Sequence, residues 1–484
     1  MKLHAEHPCG APSRAALPLH HLTVAEAGSR LARREVSPVE LVEACLDRIA
    51  AVDGVVHSYI TVTAERARAA AREAEANIAA GRLRGPLHGV PFAVKDNYHV
   101  AGIRTSGASR LLLDHVADTT STVVARLEEA GAILLGKLNT WELGTGSGIV
   151  ADDLPFPIAR NPWDTERLTG GSSTGAAAAV AAGTALFALG SDTGGSIRLP
   201  AAACGLVGMK PTYGLVSRAG CLPNCWSLDH NGPLAWTAED AALVLSTLAG
   251  HDPADPTSAD ARPVDLLGDL HAGFAGLTIG VVRDFGPDGE ALDGAQREGF
   301  DAMIQVLEEL GARLTPVRLP ASLTEYRHVA RVINWAESYS AHEKDFLERR
   351  HLMGASLREK MMCGFALRAA DYLAALRQRR VLTRATDQVI SACDALVLPG
   401  AFHLAPRLDQ PDTIPAYTID NACSAFNLTG HPALAVPTGF GGGLPLSAQV
   451  VGPFFGEATV LRVAQAYESA TPWREKRPRI GGVD

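Results

Sequence analysis

The run Gly170–Gly171–Ser172–Ser173–Thr174–Gly175, followed by Gly194–Gly195–Ser196–Ile197–Arg198, sets two serines 24 residues apart, each held in glycine. One lysine, Lys95, lies 77 residues before the first serine, at the end of Gly89–Val90–Pro91–Phe92–Ala93–Val94–Lys95. Serine is a weak nucleophile until a base takes its proton. Lysine can be that base only when neutral, and burial lowers its pKa by disfavouring the charged form. The apolar approach Pro91–Val94 is consistent with such burial. Glycine beside each serine frees the backbone for sharp turns and for close approach of a substrate. No lysine in the chain has a serine three residues before it, which disfavours the SxxK class. An α/β-hydrolase elbow is not expected either. The glycine–serine loop precedes a small-residue helix, a place that suits an anion, but it lacks the lysine of a phosphate cradle.

Composition narrows the class. The chain has 484 residues, 47% hydrophobic and 20% charged, an ordinary globular balance. A net charge of −9 argues against a surface that coats nucleic acid. No window reaches the roughly 18 uninterrupted apolar residues of a membrane helix. Met1 to Leu22 lacks a signal-peptide core, so it reads as a flexible tail on a cytoplasmic protein. The eight cysteines contain no CxxC; Cys221 and Cys225 are the close pair, and free thiols are the expectation. No HExxH occurs. Neither a metal nor a cofactor is expected. Lysine is scarce, seven residues among 44 basic ones, which makes Lys95 in an apolar run more noticeable.

Ser37–Pro38–Val39–Glu40 is a capping box with proline at the first helical position, opening a helix to about Ala51. A second helix covers Thr63 to Ala80 and stops at Gly81. Val90–Val94 reads as a buried strand that delivers Lys95. A helix over Ser121–Ala130 and a strand over Ala132–Leu135 follow. The spacing predicts a helix over Thr174–Ala188. Leu277–Val282 and Arg313–Val317 read as strands around a helix near 293–310, and 322–389 as largely helical. Ala395–Leu398 and Ala433–Val436 are late strands, and Glu457–Ala470 a final helix. Strands alternating with helices imply a layered α/β sheet. No linker divides 23–484, which reads as one domain after the 1–22 tail.

Lys95, Ser172 and Ser196 together resemble the Ser–cis-Ser–Lys triad of the amidase signature family. The likeness runs from about Leu22 to the C-terminus, through Gly136–Lys137–Leu138–Asn139, Asn161–Pro162–Trp163, Gly208–Met209–Lys210–Pro211–Thr212 and Asn427–Leu428–Thr429–Gly430. It implies the family fold, a large mixed central β-sheet sandwiched between helices. It also implies roles: Ser196 the nucleophile, Ser172 the bridging serine joined to Gly171 by a cis peptide, and Lys95 the base. Backbone N–H groups of Thr193, Gly194, Gly195 and Ser196 would form the oxyanion hole. Gly171, Ser173, Asp192 and Arg198 would support the site, the last two as a buried pair. Gly146, Ser147 and Trp226 are candidate substrate contacts, and 322–389 a helical substrate-side segment. Departures from the family pattern fall at Thr174, Trp236 and Ser447, outside the triad.

With no cationic clamp visible in the sequence, the preferred substrate is a neutral, partly hydrophobic amide, anilide or carbamate (urethane). A monomer or homodimer, bound to no nucleic acid and no membrane, is expected. The alternative is the glutamine-hydrolysing A subunit of a tRNA-dependent amidotransferase, from which the Arg-rich segment 341–387 looks different. A third reading is a non-catalytic binding protein on the same fold.

Overall fold

The computed structural model describes residues 17–145, 153–260, 265–274 and 276–482. Thirteen strands are assigned among them: β1 Tyr59–Val62, β2 Pro91–Lys95, β3 Ile133–Leu138, β4 Arg160–Asn161, β5 Asp164–Leu168, β6 Phe187–Asp192, β7 Val207–Lys210, β8 His230–Ala235, β9 Thr278–Val282, β10 Arg313–Val317, β11 Ala395–Pro399, β12 Ala433–Gly441 and β13 Leu444–Val451. β4 and β5 pair with each other, and the other eleven form one sheet in the order β1, β3, β2, β6, β8, β7, β12, β13, β11, β9, β10. The sheet is mixed. β3, β2 and β6 run parallel, as do β11, β9 and β10, and antiparallel pairs join the two sets. This is the large mixed central sheet with helices that the resemblance implies.

The centre of the sheet places the site. Every residue of β2 and β6 is buried, and such strands read as continuous apolar runs because both faces are covered. Val94 is in register with Leu189, so Lys95 and Asp192 end neighbouring parallel strands at the same edge. Crevices at the carboxyl ends of parallel strands are where α/β sheets bind ligands.

The helix after the glycine–serine loop is shorter than its sequence pattern predicts. It covers Thr174–Ala182, all nine residues buried. Gly183, at φ 75°, closes it in the left-handed cap conformation, and the chain then enters β6. A short apolar run such as Leu186–Leu189 fits helix and strand equally by period alone. The capping-box helix runs further than predicted, Pro38–Val56, and His57 at φ 54° ends it. Gly441–Gly443 is the turn of the β12–β13 hairpin, with Gly442 and Gly443 at positive φ. The segment 322–389 is three helices, Leu323–Arg349, Ala355–Ala366 and Ala369–Ile390. Of the predicted N-terminal tail, residues 1–16 lie outside the described residues. Leu19–His21 form a short turn, and Leu22 packs into the core.

Candidate active site

Lys95 is fully buried at the end of β2. Its Nζ lies 2.7 Å from Ser172 Oγ and 3.0 Å from Ser191 Oγ. Burial pushes the amine down to about 7, against the opposing pull of Cys221, Asp192 and Asp229. Ser191 Oγ also accepts from Asn97 Nδ2 at 3.0 Å. The Gly171–Ser172 peptide is cis. Residue 171 must be glycine on packing grounds, because a Cβ there would stand 2.1 Å from the Trp141 ring. Ser172 Oγ donates to Gly144 O at 2.9 Å. Ser173 N donates to Ser196 O at 3.2 Å, which ties the two serine loops together. No hydrogen bond between the Ser172 and Ser196 hydroxyls is assigned among the described residues. Ser196 is partly exposed and faces a cavity.

Gly171–Gly175 also fits the GxSxG spacing formally, with Ser173 at its centre. Ser173 is fully buried, however, and its hydroxyl donates to Ser191 O. It presents no nucleophile to a ligand.

Asp192 organises the turn after β6. Its carboxylate accepts from Gly195 N at 2.7 Å and Ile197 N at 3.0 Å, and Arg198 Nε lies 3.1 Å from it. Arg198 also donates to Gln449, Cys423 O and Asn427. Both side chains are fully buried. Burial pulls the Asp192 carboxyl upward, but the Arg198 charge and hydrogen bonds win and hold it well below the usual carboxylate range. One predicted oxyanion donor is corrected: the Gly195 N–H is occupied by Asp192. Thr193, Gly194 and Ser196 keep backbone N–H groups in the turn.

The cavity in front of Ser196 has a volume of about 400 Å³. Its lining includes three cations the sequence reading missed, Arg327, Arg331 and Lys360. Lys360 is buried and donates to Thr145 Oγ1 and, at 2.7 Å, to Asn224 Oδ1. Burial lowers its pKa to about 7. These residues come from helices more than a hundred positions downstream of the motifs, with no spacing to flag them. The scarcity of lysine was the one available signal for Lys360. Trp226 does not line this cavity. Its side chain is 65% exposed, with the Arg218 guanidinium 5.7 Å from its ring centroid. Gly146 and Ser147 lie outside the described residues. Among the described residues no group of three His, Cys, Asp or Glu could hold a metal ion, and no helix is long and apolar enough to cross a membrane.

The family model described as Amidase matches residues 40–461. The A subunit of glutamyl-tRNA(Gln) amidotransferase from Carboxydothermus hydrogenoformans is 42% identical over 96% of this chain and 100% of its own length. The crystal structure of the corresponding A subunit from Thermotoga maritima superposes with a TM-score of 0.79 at 34% identity, covering 94% of this chain and 96% of that one. An inhibitor-bound structure described as a vestigial protein complex, bearing on the origins of an s-triazine catabolic enzyme, gives a TM-score of 0.86 at 31% identity, covering 93% and 98%. These relatives correct two expectations. Full-length similarity to amidotransferase A subunits overturns the neutral amide, anilide or carbamate as substrate, and the cationic cavity lining removes its physical reason. Relatives named as subunits of an enzyme of glutamyl-tRNA, and a neighbour described as a complex, likewise overturn the picture of a solitary monomer or homodimer with no nucleic-acid partner.

Proposed function

The chain belongs to the amidase signature family, an enzyme acting on carbon–nitrogen bonds, and on that premise we propose that it is the glutamine-hydrolysing subunit of an amidotransferase acting on glutamyl-tRNA(Gln). The observation that carries the reading is the 42% identity over nearly all of both chains. The cations lining the Ser196 cavity support it, because glutamine brings a carboxylate that would otherwise lose its solvation unpaired. Its place is the cytoplasm.

In this reading neutral Lys95 takes a proton from Ser172 while Ser172 takes the proton of Ser196. The Ser196 Oγ then attacks the side-chain amide carbon. The developing oxyanion is met by backbone N–H groups of the Thr193–Ser196 turn, which Asp192 and Arg198 hold in place before the reaction. The C–N bond breaks, the leaving nitrogen takes the proton back through Ser172, and ammonia departs. Water then cleaves the acyl-enzyme by the reverse proton path, leaving glutamate. Release of ammonia from L-glutamine, measured for the chain alone and with the other subunits of its assembly, tests this. Ser196→Ala should lose at least about 10⁴-fold in turnover while keeping its fold. A chain that releases no ammonia from glutamine in either setting would refute the reading.

A further inference from the structure

Arg331 stands one turn after Arg327 on the helix Leu323–Arg349, and both line the cavity that holds Ser196. The other two cations of that lining are committed to the protein. Lys360 donates to Thr145 and Asn224, and Arg327 to Ile419 O at 3.1 Å and Thr324 Oγ1 at 2.8 Å. Among the described residues, no hydrogen bond or ion pair is assigned to the Arg331 guanidinium. Two acids stand nearby without a hydrogen bond or ion pair to it among the described residues: Glu359 shares the lining, and Asp420, whose charge reaches Arg331 at longer range, lies 3.5 Å from His403. The guanidinium is nevertheless half-buried, and burial together with the Arg327 charge brings its pKa below the ordinary value, against Asp420 and Cys363. A partly desolvated cation that faces a cavity with no anion in contact among the described residues can receive one. A planar guanidinium matches a carboxylate in two parallel hydrogen bonds.

We propose that Arg331 is a specificity-determining residue that receives a carboxylate of the substrate in the Ser196 cavity, so that the enzyme selects acid-bearing amides over neutral ones. The proposal rests on the glutamine reading for its substrate class, but Arg331 itself appears in none of the steps of bond cleavage. It stays outside the proton path from Ser196 to Lys95 and acts on binding.

The test uses the full chain carrying Ser196→Ala, titrated calorimetrically with two probes of matched shape, glutaramate and glutaramide. The first bears a carboxylate where the second has an amide. The Ser196→Ala chain should bind glutaramate about tenfold or more tighter than glutaramide. Adding Arg331→Gln should erase that preference and leave glutaramide binding unchanged, and Arg331→Lys should restore part of it. A preference that survives Arg331→Gln, or a parent with no preference, overturns the proposal. A loss shared equally by both probes also overturns it, since that would be a structural effect. The glutamine reading fails separately: an Arg331-dependent carboxylate preference in a chain that releases no ammonia from glutamine would leave Arg331 in its role and change only the acid.

Discussion

Lys95 carries two conflicting requirements, burial deep enough to make it a base and contacts enough to hold it still. Among the described residues its amine hydrogen-bonds the Ser172 and Ser191 hydroxyls, and no carboxylate lies within salt-bridge distance of it. The pKa of about 7 therefore predicts a limb in the pH–rate profile. Only the neutral amine accepts a proton, so kcat/KM should rise about tenfold per pH unit below that value and level off above it. The measurement should use a neutral amide, because Lys360 titrates in the same range and would entangle carboxylate binding with the base. A profile flat from pH 5 to 8 would remove Lys95 from that role. Stability obeys the same linkage with a definite sign. The folded amine titrates near 7 and the unfolded one near 10.5, so the unfolded chain binds more protons between those values and this term favours folding increasingly as pH rises. The meeting of Lys95 and Ser172 was legible in the sequence because both sit in glycine-rich or apolar runs whose local chemistry is unusual. Arg331 and Lys360 were not, since a helix face presents a cation to solvent or to a cavity with the same local pattern.

The turn after β6 shows how one element serves both stability and chemistry. Asp192 ends a buried strand, fastens two backbone N–H groups of the next turn and neutralises Arg198, which in turn reaches Gln449 on β13 and Asn427 on the helix Cys423–Thr429. Four parts of the fold meet in one carboxylate–guanidinium pair with no water access. Breaking such a pair from one side leaves an uncompensated buried charge, at a cost of about 3–5 kcal/mol. Asp192→Ala should lose that much stability in urea unfolding and most of its turnover. Adding Arg198→Met should recover part of the stability but not the activity, because the Gly195 and Ile197 amides remain unfastened. A single Asp192→Ala variant within about 1 kcal/mol of the parent would show that the pair is not the brace. Element boundaries were legible where a cap or a glycine marks them, as at Ser37 and Gly81. They were lost where burial on both sides erases periodicity: the start of β6, Phe187–Ala188, was merged into the preceding helix, and β7, β8 and β13, also wholly buried, carry no alternation to read.

Across the whole molecule, the first and last described segments of the chain meet around a pair of buried acids. Asp240 and Glu468 lie on the helices Ala238–Leu248 and Glu457–Ser469. Asp240 Oδ1 accepts from Ala25 N of the first long helix at 3.0 Å, and Glu468 Oε2 accepts from Ala238 N at 3.0 Å. Arg477 stacks 3.4 Å from the Trp236 ring centroid and donates to His21 O. Burial raises Asp240 to about 7 and Glu468 to about 8, Asp240 against the partial relief of the Ala25 and Thr237 hydrogen bonds and Arg477. Among the described residues, Asp240 Oδ2 has no hydrogen-bond partner. A buried carboxyl whose folded pKa is raised binds its proton more tightly in the folded chain. Between about 4, where the unfolded group ionises, and about 7, stability must therefore fall as pH rises. Asparagine keeps the acceptor for Ala25 N and has no charge to bury. Asp240→Asn should thus change the melting temperature little at pH 4 and raise it at pH 8, by about 1 °C for each ~1 kcal/mol relieved in a chain of this length. The gain should grow across pH 4 to 7 and stay constant above. Scanning calorimetry of both chains at several pH values decides it. An equal shift at pH 4 and pH 8 would mean that the substitution acts through packing, and that Asp240 does not set the pH dependence of the joint between the chain ends.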